Sequence, residues 1–321
     1  MTLKVFFLCS VALFNFTARY SKSCSLLFSI KMPRPVNLLR IFADGENGGN
    51  PLPVVVDAIG MTDADMRSVA SHYGHESCFV SPGPSGYDYE FRFWVPEHEM
   101  EMCGHATVGA VWLLERTGAL QKDHLRILTR SGPVEAMVIR DKDVVWVEVS
   151  QGQGVVSTLQ DVDGLYEDIV STLGITKDDL SPGYAIQNCQ TSRIKTAIPI
   201  KSDVILHGLK PRFQNVKGLC ERIGSTGLYP YAITDASRYI FDARQFPKSS
   251  GYNEDAATGI AASALSFALL ENGVVGENAS ITIRQGYAMG APSQIGVRFR
   301  ITDDMKVNGC WIRGTSTLSE T

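Results

Sequence analysis

Two stretches of the chain are apolar on every side at helical length. Residues 106–114 read Ala-Thr-Val-Gly-Ala-Val-Trp-Leu-Leu, and residues 259–270 read Gly-Ile-Ala-Ala-Ser-Ala-Leu-Ser-Phe-Ala-Leu-Leu. A helix with no polar face is buried all round, so each is read as a core helix wrapped by a sheet. The remaining pattern is mostly strands. Tyr87-Asp-Tyr-Glu-Phe-Arg-Phe-Trp-Val95 alternates as a half-buried strand should, and Pro96 ends it. Further strands are predicted at 38–42, 52–57, 77–80, 125–129, 134–139 and 144–149, then at 194–200, 228–233, 238–241, 281–284, 295–301 and 311–314. Short helices are predicted at 62–70, with Thr62 as N-cap and Asp65 three residues on, at 169–173 and at 214–223.

The two apolar helices belong to a longer repeat. Cys103-Gly-His-Ala opens one and Asp255-Ala-Ala-Thr-Gly opens the other. Both end in Leu-Leu-Glu before a Gly stop, and both are followed by a strand closing on Arg-x-Gly. The repeat predicts an α+β protein of two pseudo-symmetric lobes, each a curved, mostly antiparallel sheet around its helix. The lobe boundaries fall at 32–150 and 151–321, with the last strand able to pack on the first lobe. Helix starts carry unpaired N–H groups and the positive end of the dipole. Two of them across a cleft make a site for anions and protons.

Residues 1–31 differ in kind. Lys4 precedes the apolar run Val5–Phe14, and no acidic residue occurs before Asp44. The segment is read as a leader or as an extension ahead of a start at Met32. The first reading implies a targeted or secreted protein, the second a cytoplasmic one. The run is too short to span a bilayer, which argues against stable membrane association.

Composition narrows the function. The 321 residues are 44% hydrophobic and 20% charged, with a net charge of −4, as in a soluble globular enzyme. No Lys/Arg cluster supports nucleic-acid binding. Seven scattered cysteines do not form a disulfide framework, and no CxxC or HExxH announces a metal. His72-Tyr-Gly-His75 is a poor metal face because the Gly interrupts it. The expected partner is a small-molecule substrate, and no metal is expected. A homodimer is the default assembly.

Seven residues could carry chemistry. Glu76 sits against an apolar strand, where partial desolvation makes a carboxylate a better base; a solvated loop Glu is the alternative. Gly104 and His105 begin the first core helix, where a His is favoured in its neutral form. Asp255, Thr258 and Gly259 hold the corresponding place before the second. Cys103 is either a small buried residue or a thiol acid–base group. A symmetric two-cysteine racemase is excluded, because Asp255-Ala256-Ala257 offers no second Cys.

Five ordered motifs, Gly49-Asn-Pro51, Glu76-Ser-Cys-Phe-Val80, Met102-Cys-Gly-His-Ala-Thr-Val-Gly109, Glu254-Asp-Ala-Ala-Thr-Gly259 and Gln285-Gly-Tyr-Ala-Met-Gly-Ala-Pro-Ser293, together resemble the PhzF-like isomerase family of phenazine biosynthesis over about 36–318. The resemblance implies a diaminopimelate-epimerase-like fold and a cofactor-free isomerase of secondary metabolism. It implies that Glu76 removes a proton from carbon and helps return it. It implies that His105 and Asp255 orient substrate and redeliver the proton. The backbone at Gly104 and Thr258-Gly259 would then hold a carboxylate or enolate. Two departures stand out. Ile260 replaces a usual Ser, and Ala256-Ala257 replaces a usual Pro-x and is expected to loosen that turn. Both fit a less polar substrate end or a degraded site.

Overall fold

A computed structural model describes residues 34–319. The segment read as a leader or extension lies outside them. From Arg34 onward the chain forms one compact α+β unit.

Its first half runs β1 (Asn37–Ile41), β2 (Asn50–Val55), α1 (Asp63–Tyr73), β3 (Ser77–Pro82), β4 (Tyr89–Trp94), β5 (Glu99–Met100), α2 (Gly104–Arg116), β6 (His124–Thr129), β7 (Gly132–Asp141) and β8 (Val144–Gln151). The second runs β9 (Val155–Thr158), α3 (Leu165–Leu173), β10 (Gln187–Gln190), β11 (Lys195–Pro199), α4 (Asp203–Gly208), α5 (Phe213–Arg222), β12 (Gly227–Asp235), β13 (Ile240–Ala243), β14 (Phe246–Pro247), α6 (Gly259–Glu271), β15 (Ser280–Gln285), β16 (Ser293–Ile301) and β17 (Val307–Gly314), and β18 (Ser316–Leu318) closes the fold.

The pairings repeat. The first half is ordered β18-β1-β2-β3-β4-β6-β7-β8, with β2/β3 and β4/β6 parallel and the rest antiparallel. The second is ordered β9-β10-β11-β12-β13-β15-β16-β17, with β11/β12 and β13/β15 parallel and the rest antiparallel. The two series match pair for pair. They join through β8 and β17, antiparallel, with Val149 opposite Ile312. The chain crosses from one half to the other between β8 and β9 and returns with β18, which pairs with β1.

Each curved sheet wraps one apolar helix. Helix α2 packs on β1, β2, β3, β7 and β8, α6 packs on β9, β10, β11, β16 and β17, and the two helices touch. Residues 104–114 of α2 are all buried, as are nearly all of α6, and their side chains belong to one continuous core. That burial accounts for the missing polar faces.

The Thr62 cap is present. Its Oγ1 accepts from the Asp65 amide at 3.2 Å, while Asp65 Oδ2 accepts from the Thr62 amide at 2.8 Å. Strand β10 has no counterpart in the sequence reading because Gln187-Asn-Cys-Gln carries no apolar alternation. It forms because side-chain bonds replace that signal. Asn188 Nδ2 donates to the Ile223 carbonyl at 2.7 Å and Asn188 Oδ1 accepts from Thr196 Oγ1 at 2.8 Å. Among the described residues no helix is long and apolar enough to cross a membrane.

Candidate active site

The repeat brings the starts of α2 and α6 together. Their N-caps are Cys103 and Thr258, and neither side chain makes a capping hydrogen bond. Neither first turn contains an acidic residue. The first amides of both helices are therefore left for a ligand, with both dipoles favouring an anion. Each helix begins with Gly. A Cβ at Gly104 would lie 2.8 Å from Cδ1 of Ile312, and one at Gly259 would lie 2.9 Å from the same atom. Ile312 sits on the β8/β17 seam, so one methyl group spaces the two helix starts. The structural counterpart of Cys103 is Thr258, three residues beyond the expected Asp255. It is not a cysteine either.

The loop from α1 to β3 supplies Glu76. Gly74 ends α1 in the left-handed region at φ 69°, a conformation that suits Gly. Two residues on, Glu76 enters the site with its side chain 16% exposed. Cys103 Sγ donates to Glu76 Oε2 at 3.1 Å, and His105 Nε2 lies 3.4 Å from the same oxygen. His105 Nδ1 is 3.4 Å from Cys103 Sγ. The Tyr252 hydroxyl is 3.5 Å from Glu76 Oε1. Burial, with the charge of Glu76 next, pushes the Cys103 thiol well above its ordinary value. Cys103 is thus a protonated donor to Glu76. Glu76, Cys103 and His105 each offer a metal-type donor atom within 4.8 Å of the others, and here those atoms meet one another.

The α6 side holds Asp255. Asn50 Nδ2 donates to Asp255 Oδ1 at 2.8 Å and to the Ala257 carbonyl at 2.9 Å. The Thr258 hydroxyl donates to Asp255 Oδ2 at 2.5 Å. Gln285 Nε2 donates to the Asp255 carbonyl at 2.7 Å and to Thr258 Oγ1 at 3.1 Å. Its Oε1 accepts from the Tyr229 hydroxyl and the Thr258 amide. Ala256-Ala257 was expected to loosen this turn. Instead two side-chain amides from distant strands pin it, and both Ala residues are buried. Burial first, and the charge of Glu76 second, raise the Asp255 pKa, against the Asn50 and Thr258 bonds that lower it.

Glu76, Cys103, Gly104, His105, Asp255, Thr258 and Gly259 all line one cavity of about 60 Å³, and so does Ile260. A wider vestibule of about 440 Å³, lined among others by Asn50, His75, Glu76, Tyr252 and Asp255, adjoins it. Sequence reasoning assigned no role to Asn50 or Gln285, although both lie in quoted motifs. It passed over Lys195, Gln245 and Tyr252, which also line the cavity. No local signal marks them.

The family model of phenazine biosynthesis-like proteins (PhzC-PhzF) matches residues 39–321. An uncharacterized isomerase of Clostridium acetobutylicum is 30% identical over 285 residues, covering 86% of this chain and 94% of that one. A Bacillus anthracis phenazine biosynthesis protein of the PhzF family superposes with a TM-score of 0.81 at 21% identity, over 89% of this chain and 96% of that one. A probable proline racemase of Agrobacterium radiobacter superposes with a TM-score of 0.60 at 11% identity, over 89% and 92%. The structural likenesses establish a shared fold, that of PhzF and racemase proteins.

Proposed function

The chain belongs to the phenazine biosynthesis-like protein family and is an isomerase, and we propose that it moves a proton on a small carboxylate- or carbonyl-bearing metabolite without a cofactor. Glu76 is the base that takes the proton from carbon. Asp255, on the opposite helix start, is the acid that returns one, and His105 orients the substrate between them. The first amides of α2 and α6 hold the carboxylate or the developing enolate.

One observation carries the reading. Two carboxyl groups line one small cavity, Glu76 from the α1–β3 loop and Asp255 from the turn ahead of α6, and Asp255 is biased toward its neutral form by burial and by the charge of Glu76. Carboxyl groups with environments driven apart are how one site holds a base and an acid together. Acid–base help of this kind contributes about 10²–10⁴-fold, and each preorganised donor to an oxyanion roughly 10²–10³-fold. Cys103 is not used as a base, because its proton is held on sulfur facing Glu76.

The test is deuterium uptake from D₂O into the small metabolites of a host extract, comparing wild type with Glu76→Gln. The expected result is label in one compound, with wild type only. Equal labelling by both proteins would sink the assignment of Glu76. The position of the label also decides between two outcomes of the same chemistry. Label on a carbon other than the one deprotonated means isomerisation, whereas label on the same carbon with inverted configuration means epimerisation.

A further inference from the structure

We infer that Lys195 and Gln245 form a receptor for an acidic group, a carboxylate or a phosphate, on the molecule that enters the cleft. The inference rests on the cleft being the site of turnover and adds to it the charge of the substrate.

The pseudo-symmetry locates the receptor. Asn50 opens β2 opposite Ile41, and Lys195 opens β11 opposite Cys189. The two residues are therefore counterparts. Asn50 reaches across to the start of α6 and is fully engaged there by Asp255 and the Ala257 carbonyl. Lys195 lines the cavity beside the start of α2. Three residues before the α6 N-cap stands Asp255; three residues before the α2 N-cap stands Met100. Both make the same antiparallel bridge, Asp255 to Gln245 and Met100 to Phe93. The half that would supply Lys195 with a carboxylate thus supplies a thioether.

The result is a cation without a partner. Lys195 is 5% exposed, and among the described residues no hydrogen bond or ion pair reaches its ammonium group. A buried ammonium is normally paired, because its desolvation is costly. Gln245 repeats the anomaly. It is 1% exposed, lines the same cavity, and neither its amide nitrogen nor its oxygen has a partner among the described residues. Buried polar side chains without partners are rare, and this one shares the cavity wall with Lys195. An ammonium and an amide N–H are the donors an oxyanion takes. Arg193, two residues before Lys195, also lines this cavity and adds positive potential.

The charged groups around Lys195 are consistent with this role. Burial is the largest influence and brings its pKa down to about 8, against the charges of Asp255 and Glu76 and together with that of Arg193. The group remains mostly protonated at neutral pH and gives up its proton a little above it.

The test is calorimetric binding of succinate, inorganic phosphate and the neutral control succinamide to the full chain, as wild type, Lys195→Met and Gln245→Leu. No turnover is needed, so failure here is separable from failure of the Glu76 assignment. The expected result is that anion affinity falls roughly 10- to 100-fold in Lys195→Met and less in Gln245→Leu, while succinamide binding does not change. Preference for succinate over phosphate identifies a carboxylate, and the reverse identifies a phosphate. Thermal unfolding supplies the control. Removing an unpaired buried charge is expected to leave Lys195→Met at least as stable as wild type below pH 8. No binding of either anion to wild type, equal binding by Lys195→Met, or a Lys195→Met chain that unfolds more easily would each overturn the inference, the last by making Lys195 a structural residue.

Discussion

Asn50 holds Asp255 across 205 positions of sequence, with Nδ2 2.8 Å from Oδ1. The same nitrogen donates to the Ala257 carbonyl, so one side chain fixes both the acid and the turn that carries it. Asn50→Ala removes both bonds. A buried polar group losing its partner costs about 1–3 kcal/mol. The midpoint of denaturant unfolding is expected to fall accordingly. Asn50 is also, with His105 and Thr258, one of the groups that lower the Asp255 pKa, so its loss raises that pKa further and moves the alkaline limb of the rate profile upward. A variant with wild-type stability and an unshifted profile would show that this contact fixes nothing.

Cys103 is expected to be chemically quiet. Its thiol is buried, donates to Glu76 and is pushed well above its ordinary value. Reactivity follows the thiolate fraction. Alkylation by iodoacetamide at pH 7.5 should therefore be slower for Cys103 than for a free thiol by at least about tenfold. Cys103→Ser keeps a donor facing Glu76 and is expected to retain proton exchange. Cys103→Ala removes the donor and should lose more. Rapid labelling of Cys103 in the folded protein would contradict this account.

Asp255 gives a stability prediction with a definite sign. Its folded pKa is raised from the usual 3.8, chiefly by burial. The folded state therefore holds this proton more tightly than the unfolded chain does. The stability so gained is full below the unfolded pKa and is lost as pH rises through the folded one. Asp255→Asn keeps the shape and removes the titration. Its stability relative to wild type should improve from pH 3.5 to pH 7, while exchange activity disappears. Denaturant unfolding at the two pH values measures the first effect and deuterium uptake the second. A relative stability that does not change with pH would mean that Asp255 is not held above its ordinary value.

The parts of this site that are legible in sequence are the local ones. The start of an apolar helix is written within about ten residues, so Cys103, Gly104, His105, Asp255, Thr258 and Gly259 can be picked out by their position before a hydrophobic run. Glu76 is legible for a similar reason, lying between a Gly turn and a strand. Asn50, Lys195 and Gln245 are not legible, because only the topology of the sheets brings Asn50 to Asp255 and the other two to the cavity wall. Lys195 is the clearest case. It opens a strand buried at all five positions, where period-2 alternation offers no solvent face, yet a lysine in isolation reads as surface. Strand β10 was hidden by its polar composition, and the Ala256-Ala257 turn looked loose because its ties come from Asn50 and Gln285. The repeat itself was visible at the helices and invisible in the strand order, since pairings are not periodic in sequence.

The spacing of the two helix starts by one methyl group can be tested by a double-mutant cycle. Gly104 and Gly259 both face Cδ1 of Ile312, at 2.8 and 2.9 Å from where a Cβ would stand. A flexible side-chain tip usually moves aside for a new methyl group. This one is caught, because retreat from one helix start is advance on the other. Gly104→Ala is therefore expected to cost about 1–3 kcal/mol from overpacking, partly offset by the better helix propensity of Ala. Ile312→Val removes only Cδ1 and alone should cost about 0.5–1.5 kcal/mol. Combined, the two changes should cost less than their sum, with a coupling of at least about 0.5 kcal/mol. The same rescue is expected for Gly259→Ala with Ile312→Val, because the methyl group faces both positions. Strict additivity in both cycles would mean that the helix starts are spaced by something other than Ile312, and that the cavity between them is set by the sheets alone.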